Sequence, residues 1–197
     1  MNSEQPPVMT SPNQGFRIVR EWVTVLVVAL VIAITVRSLI LQQFYISGPS
    51  MEATMFQDNR VLVNKLSYRL HDIHRGDVVV FDRVTVDGQI VQHDDLIKRV
   101  IAFGGETISI KDCKVFIDGK FLNEPYLNDF DLAQTVLEDR CRIPMMDATL
   151  VPKNQIFVMG DNRPQSFDSR MFGPIEQNLV VGRAFVIIWP FSAAKFL

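Results

Sequence analysis

The chain has 197 residues, of which 48% are hydrophobic and 21% are charged, a composition that is typical of a folded protein and excludes a largely disordered one. Twenty lysines and arginines against 22 acidic residues give a net charge of −2, so the basic excess that nucleic-acid-binding proteins use to neutralise phosphates is missing. The two cysteines, Cys113 and Cys141, are too few for a disulfide scaffold, and neither they nor the three histidines show metal-ligand spacing, so we expect no cofactor, metal or nucleic acid.

The first feature in chain order is an apolar segment at residues 22–41. Its first fifteen residues are uncharged, and Arg37 is the single charge before the segment ends at Leu41. A helix needs about 20 residues at ~1.5 Å each to cross the hydrocarbon core, and an arginine near the end can reach the headgroups. No small-x-small cleavage site follows, and so short a chain can hardly surround a helix that is apolar on every side. The segment therefore predicts one transmembrane anchor rather than a cleaved signal or a core helix.

The flanks of this segment predict its orientation. Residues 1–21 are predicted to be cytoplasmic. Within them, residues 1–15 are rich in Pro, Ser, Asn and Gln and are predicted to be a disordered tail, and a basic flank with Arg17 and Arg20 follows. The other flank carries only Arg37, and the more basic side usually stays in the cytoplasm. We therefore expect a single-pass protein of the cytoplasmic membrane, with residues 42–197 forming an extracytoplasmic domain.

Residues 42–197 show short β-branched runs that are separated by turn residues. Several strands at such spacing predict a mainly β domain, barrel-like or a sandwich. Asp87-Gly88 and Asp118-Gly119 are strong hairpin signals. The predicted strands are 60–63, 77–81, 96–103, 107–110, 114–117, 155–158 and 184–189.

Two residues in this domain could form a catalytic pair. Ser50 follows a Gly-Pro turn nine residues after Leu41, so at ~3.3 Å per residue it lies within about 30 Å of the end of the anchor. Lys98 and Arg99 stand side by side in a predicted strand, so they point to opposite faces. Alternation does not say which of them is buried, and a surface strand with two solvated cations is the other interpretation. If Lys98 is the buried one, its pKa falls and its amine can activate a serine hydroxyl.

A third segment, residues 158–174, is dense in Asp, Asn, Arg and Ser between apolar runs. Such residues can serve local turns alone, since their side chains readily bond to nearby backbone. The number of acids and arginines in it also fits a functional loop.

In these segments the sequence resembles the type I signal peptidases, membrane-bound serine proteases with a Ser-Lys dyad that remove signal peptides from exported preproteins. The resemblance rests on SGPSMEATM around Ser50, VLVNKLSYRL and RGDVVVF at 61–81, LIKRVIAFGGETISI at 96–110 and VMGDNRPQSFDSRMFGPI at 158–175. It implies a signal-peptidase β fold behind one transmembrane helix.

The resemblance also implies roles for residues of this chain. Ser50 would be the nucleophile and Lys98 the general base, with Ser166 bonded to the lysine and Asp168 paired with Arg170 to hold the loop. The substrate cleft would be lined by Phe44, Ile46, Met51, Met55, Leu96 and Ile97.

Two positions depart from the family pattern. Ala53 stands where a proline is usual, and Gly48 stands where many members have a serine that contributes to the oxyanion hole. The oxyanion hole would then depend more on backbone N–H groups, with the Ser50 amide as the obvious donor.

These observations predict an endopeptidase whose partners are signal peptides and the lipid bilayer, while the oligomeric state stays open. A catalytically inactive, membrane-tethered binding module of the same fold is the alternative, and the joint presence of Ser50, Lys98 and Ser166 argues against it. A self-cleaving Ser-Lys repressor would carry a DNA-binding domain and no anchor. Whether Cys113 and Cys141 form a disulfide stays open, because sequence does not show the Cα approach of ~5.5 Å that a disulfide needs.

Overall fold

The structure is a computed structural model that describes residues 13–87, 90–127 and 141–197. It divides the chain into two compact units, the first ending at Ile40 and the second spanning Leu41–Leu197. Each unit is described separately.

The first unit contains one long helix, α1 (Asn13–Leu39). Its segment Gly15–Arg37 is long and apolar enough to cross a membrane, and its side chains are exposed. The helix starts before the predicted boundary at residue 22 because no proline stands between Pro12 and Trp22, and proline is tolerated just before a helix. The predicted disorder of residues 1–15 is therefore wrong for residues 13–15, and residues 1–12 lie outside the described part.

The predicted end of the anchor is corrected as well. Leu41 belongs to the first strand, where it pairs with Asn64, and the helix has already ended at Leu39. A count of apolar residues cannot separate the last turn of a helix from a following strand, since leucine suits both.

The second unit is built from two antiparallel sheets. The larger sheet has the order β1-β2-β11-β3-β4-β9-β10, with β12 paired to β11, and the smaller has the order β7-β6-β5-β8. The strands of the larger sheet are β1 (Leu41–Tyr45), β2 (Arg60–Asn64), β3 (Val78–Asp87), β4 (Ile90–Phe103), β9 (Gln155–Met159), β10 (Ile175–Glu176), β11 (Val180–Trp189) and β12 (Lys195–Phe196). Those of the smaller sheet are β5 (Thr107–Lys111), β6 (Lys114–Ile117), β7 (Lys120–Phe121) and β8 (Met145–Leu150).

Short helical turns connect some of these strands. They are α2 (Ser67–Leu70), α3 (Ser169–Phe172) and the 3₁₀ turns Gln177–Leu179 and Phe191–Ala193. The prediction of a mainly β domain that follows an apolar helix in the sequence is confirmed. The predicted barrel-like closure is not, because within the described ranges no pairing joins the edge strands β1 and β10.

All seven predicted strands coincide with observed ones, and one hairpin signal is resolved in detail. Asp118 and Gly119 connect β6 to β7 with φ angles of 49° and 75°, as a tight hairpin turn requires. At the other signal, Asp87 lies opposite Ile90 at the end of the β3–β4 ribbon, and Gly88 lies outside the described residues.

The disulfide that the sequence left open is formed in the structure. Cys113, in the turn after β5, is bonded to Cys141, and their Cα atoms are 5.6 Å apart. The bond ties the smaller sheet to the segment that leads into β8.

Candidate active site

Ser50 lies in a tight turn that follows β1. The turn is closed by the Glu52 amide, which donates to the Pro49 carbonyl at 2.9 Å, and by the Met55 amide, which donates to the Met51 carbonyl at 2.8 Å. The Met51 and Met55 side chains are fully buried and anchor this turn in the core. Ser50 itself stays half-buried, so its hydroxyl is held in place and still within reach of a substrate.

Lys98 reaches this serine from β4. It lies opposite Val79 of β3, and only 3% of its surface is exposed. Its Nζ lies 2.8 Å from Ser50 Oγ and donates a 2.8 Å hydrogen bond to the Ile97 carbonyl oxygen. Strand β4 therefore brings a buried amine into contact with a serine hydroxyl 48 residues away in the chain.

The environment of Lys98 favours its neutral form. Desolvation by burial lowers the pKa of the amine to about 8, and the charges of Asp168 and Asp161 oppose that shift without cancelling it. A lysine near its ordinary pKa would be almost wholly protonated at neutral pH. A substantial fraction of Lys98 is instead available to accept a proton from the hydroxyl beside it.

Arg99, the next residue along β4, is buried in a different way. Its guanidinium donates to both carboxylate oxygens of Asp161, at 2.8 and 2.6 Å, and to the Gly76 carbonyl at 2.8 Å. It also lies 4.0 Å from the centre of the Tyr126 ring. Both cations of the pair are thus desolvated, a case that strand alternation alone does not predict.

The loop after β9 packs directly against the serine turn. The Asn162 amide donates to the Ser50 carbonyl at 3.1 Å. A Cβ added to Gly160 would lie 2.3 Å from that carbonyl oxygen and 2.3 Å from Ser166 Oγ, so the backbone approach allows no side chain there. The loop is therefore fitted closely to the residues that carry the candidate chemistry.

Asp168 and Arg170 form the ion pair that the family resemblance implies. Arg170 donates to the two oxygens of Asp168 at 2.8 and 2.7 Å, and both side chains are buried. Burial raises the pKa of Asp168, but the hydrogen bonds and charge of Arg170 outweigh it and hold that pKa below its ordinary value. The carboxylate also accepts a 3.0 Å bond from the Gly160 amide, which fixes the loop.

Ser166 does not make the contact that the resemblance implies. It is buried beside Gly160, but the two hydrogen bonds of Lys98 go to Ser50 and Ile97. The Ser166 hydroxyl is close enough to Asp168 to help lower the pKa of that carboxylate, yet it makes no well-formed hydrogen bond to any residue the structure describes. It is a buried hydroxyl whose hydrogen is free to rotate.

The six residues expected to line the cleft separate into two groups. Ile46, Met51 and Met55 are buried in one core cluster, with Phe44 and Ile97 partly buried against it. Leu96 packs in a separate cluster around Phe81, because alternation along β4 turns it to the other face from Ile97. The three core residues therefore support the site from behind and present no open surface, which differs from the expectation.

At residue 53 the backbone conformation of the turn excludes the proline that the family pattern usually has. Ala53 adopts a φ of 92°, which the ring of proline cannot reach. Where the family usually has proline, this chain has an alanine held in the left-handed region that favours glycine.

A third buried ion pair lies beside the site, and sequence reasoning missed it. Arg163 donates to both oxygens of Glu124 and to the Gly160 carbonyl. Burial lowers the pKa of Arg163, but the charge and hydrogen bonds of Glu124 outweigh it and raise that pKa. Glu124 lies in a segment without helical or strand periodicity, so nothing in the sequence signals this pairing.

The three histidines lie on the surface of the domain. His93 Nδ1 is 2.6 Å from Asp82, His74 Nδ1 is 3.9 Å from Asp77, and His71 is exposed. In the ranges for which coordinates are described, no group of three or more His, Cys, Asp or Glu side chains is arranged to hold a metal ion.

Comparison with known proteins links this geometry to a family. A family model described as signal peptidase, peptidase S26, matches residues 19–189. The chain is 39% identical over 166 residues to signal peptidase I V of Bacillus subtilis (strain 168), covering 83% of this chain and 95% of that protein. It is 33% identical over 186 residues to signal peptidase IB of Staphylococcus aureus (strain MRSA252), covering 89% and 92%.

A solved structure is also similar. It is the crystal structure of a signal peptidase I from Enterococcus faecalis V583, which is 28% identical with a TM-score of 0.44 and covers 57% of this chain and 97% of that one.

Proposed function

The chain belongs to the signal peptidase family, peptidase S26, and from that premise we propose that it is a membrane-bound endopeptidase that removes N-terminal signal peptides from exported preproteins, with Ser50 and Lys98 as its catalytic dyad. The observation that carries the dyad is the 2.8 Å contact between Ser50 Oγ and the buried Lys98 Nζ. Family membership supports the substrate class.

In the acylation step, Ser50 Oγ attacks the scissile carbonyl carbon and its proton passes to the neutral Nζ of Lys98. The tetrahedral intermediate collapses, the C–N bond breaks, and the proton moves from Nζ to the departing amine. Water then attacks the acyl ester, Nζ takes a proton from it, and Ser50 Oγ recovers that proton as the signal peptide is released with a new terminal carboxylate. The two transfers between Ser50 Oγ and Nζ use the 2.8 Å contact between these atoms.

The negative oxygen that develops during both attacks needs a donor. With Gly48 two residues before the nucleophile, no side-chain hydroxyl is available at that position. The Ser50 amide donates to no acceptor within the described ranges, so it can donate to this oxygen.

Helix α1 would attach the enzyme to the cytoplasmic membrane by a single pass. Its Gly15–Arg37 segment has the length and composition of a membrane span, and Arg17 and Arg20 favour a cytoplasmic N-terminus. In this proposal residues 42–197 form the catalytic domain on the extracytoplasmic face, where exported preproteins emerge. The bilayer and the signal peptide are then its two partners.

The test uses the full-length protein in detergent and a preprotein with a known cleavage site. We expect wild type to release the mature protein with a single new N-terminus, and Ser50→Ala to release none. Ser47→Ala is the matched control, because Ser47 is an exposed serine three residues away. The Ser47→Ala protein should cleave the preprotein normally. A folded Ser50→Ala protein that still cuts at the same bond, or a wild type that only binds the preprotein, would contradict the proposal.

A further inference from the structure

Arg170 does more than pair with Asp168. Its Nη1 donates to the Cys141 carbonyl oxygen at 2.5 Å, and its Nη2 donates to the Arg163 carbonyl oxygen at 2.8 Å. The guanidinium is thus bound on one side by a carboxylate and on the other by two carbonyls. Because the N–H donors of a planar guanidinium point in fixed directions, its hydrogen bonds to the two carbonyls determine its orientation relative to the Asp168 carboxylate.

The Cys141 carbonyl is itself held from the smaller sheet. Cys141 is buried, and its disulfide to Cys113 connects it to the turn between β5 and β6. The Cys113 amide also donates to the Pro144 carbonyl at 3.1 Å. One covalent bond and one hydrogen bond therefore place the acceptor that Arg170 uses.

The charges around Lys98 are few and paired. The loop after β9 faces it with Asp168 and Asp161, which are neutralised by Arg170 and Arg99 respectively. Its cross-strand partner Val79 on β3 and the Ser50 hydroxyl in the turn are both uncharged. Any loosening of Arg170 leaves the Asp168 carboxylate less neutralised, and its charge then acts more strongly on the lysine.

We propose that Cys141 is a positioning residue for catalysis: its carbonyl, fixed by the disulfide to Cys113, holds Arg170 on Asp168 and so limits the negative charge that Lys98 experiences. The proposal rests on the Ser50–Lys98 dyad proposed above. It assigns to the smaller sheet a role in setting the strength of the catalytic base, and it links that role to the oxidation state of two cysteines.

The consequence is a shift in pH dependence with a defined sign. A less neutralised Asp168 stabilises the protonated lysine, so the pKa of Lys98 rises when the disulfide is absent. A rise of about one unit leaves roughly tenfold less neutral lysine at pH values well below the midpoint and an unchanged amount well above it. The loss of kcat should therefore disappear at high pH, whereas KM for the preprotein should stay the same.

The experiment compares full-length wild type with the Cys113→Ser and Cys113→Ser/Cys141→Ser variants in detergent. Variants are used instead of a reductant because a buried disulfide resists reduction by an external reagent. All retain the backbone carbonyl at residue 141. We expect the midpoint of the kcat profile to move by about one pH unit to the alkaline side in both variants. Thermal unfolding measured on the same samples shows that the compared proteins are folded.

Arg170→Lys provides a second test that leaves the disulfide intact. A lysine keeps the charge, but its three donors on one compact ammonium cannot reproduce the four hydrogen bonds that the planar guanidinium of Arg170 makes. It should show the same alkaline shift, and removing the disulfide from Arg170→Lys should add little to it, because the two changes act through one contact.

An unchanged midpoint in the serine variants, or a loss of kcat that high pH does not restore, would overturn the proposal. The proposal would also be overturned if the shifts in the kcat midpoint caused by Arg170→Lys and by removal of the disulfide were fully additive. Failure of the proposed function is distinguishable, since it would appear as an inactive oxidised wild type or an active Ser50→Ala protein.

Discussion

Lys98 and Arg99 are consecutive residues of one strand, both buried, and they are satisfied by opposite means. Arg99 is bound through two hydrogen bonds to the Asp161 carboxylate, while Lys98 contacts a serine hydroxyl and a backbone carbonyl. A buried arginine must keep its charge and needs a counter-ion, whereas a buried lysine can lose its proton. The strand therefore holds a permanent cation beside a base.

The first prediction concerns the pH dependence of turnover. In the proposed mechanism Lys98 acts in its neutral form. Since burial lowers its pKa to about 8, kcat should rise with pH through a single ionisation near that value and level off above it. Below the midpoint, kcat should fall about tenfold per pH unit. Cleavage of a preprotein followed between about pH 6 and 10 tests this. A profile that is flat from pH 6 upward would exclude a lysine base.

The second prediction is that the buried Lys98 lowers the free energy of unfolding at neutral pH. The folded pKa of about 8 lies below the reference value of 10.5, so protonation of Lys98 opposes folding. The cost is fully present below about pH 8, where it reaches about 3 kcal/mol, and it vanishes as pH rises toward the unfolded pKa of ~10.4.

Lys98→Met should therefore unfold at higher denaturant concentration than wild type at pH 7, while losing activity. The gap between the two should narrow between pH 8 and 10.5, the window set by the folded and reference pKa values. Lys111→Met, at an exposed position in β5, is the matched control and should show no such pH-dependent gap. Equal stability of Lys98→Met and wild type at all pH values would contradict the account of this buried lysine.

The third prediction tests the close fit of the loop to the serine turn. Gly160→Ala adds a Cβ 2.3 Å from the Ser50 carbonyl oxygen and from Ser166 Oγ, so the loop or the turn must move. Overpacking of this kind costs typically ~1–3 kcal/mol, and a displaced nucleophile should lower kcat by about 100-fold.

Gly15→Ala is the control for this substitution, because a Cβ on Gly15 meets no atom within 4 Å. It should preserve both kcat and the melting temperature. A Gly160→Ala enzyme with the kcat of wild type would mean that the loop does not position Ser50.

The fourth prediction concerns topology. With Arg17 and Arg20 before the span and Arg37 after it, we expect residues 42–197 to lie outside the cytoplasm. Protease added to intact spheroplasts should then degrade the β domain, while an epitope placed at the N-terminus stays protected until the membrane is permeabilised. Protection of the β domain in intact spheroplasts would contradict this orientation.

Much of the fold can be predicted from the sequence because the strands are bounded by strong turn signals. Asp118-Gly119 marks a hairpin that the structure contains, and the β-branched runs mark seven strands. Short strands such as β10 and β12 have two residues each and carry no pattern of their own. The composition of residues 22–41 places Leu41 in the wrong element, because leucine is common both in membrane helices and in strands.

The candidate site also contains residues that can be predicted from the sequence and contacts that cannot. Pattern and resemblance identify Ser50 and Lys98, and the structure brings their side chains together. They do not identify Glu124 as the partner of Arg163, because the two lie 39 residues apart and only the tertiary fold brings them into contact. Alternation could not show that both Lys98 and Arg99 are buried, since this depends on the sheet being covered on both faces.

The most direct test of the dyad is single-turnover cleavage of a preprotein by Lys98→Arg. One control is the conservative surface substitution Lys111→Arg. The other control is a triple variant in which the exposed His71, His74 and His93 are replaced by alanine. Guanidinium keeps the charge but cannot deprotonate, so Lys98→Arg should lose nearly all turnover while remaining folded, and the other two proteins should cleave at close to the wild-type rate. A folded Lys98→Arg enzyme with near-normal kcat, or an inactive but folded triple histidine variant, would contradict the Ser50–Lys98 mechanism.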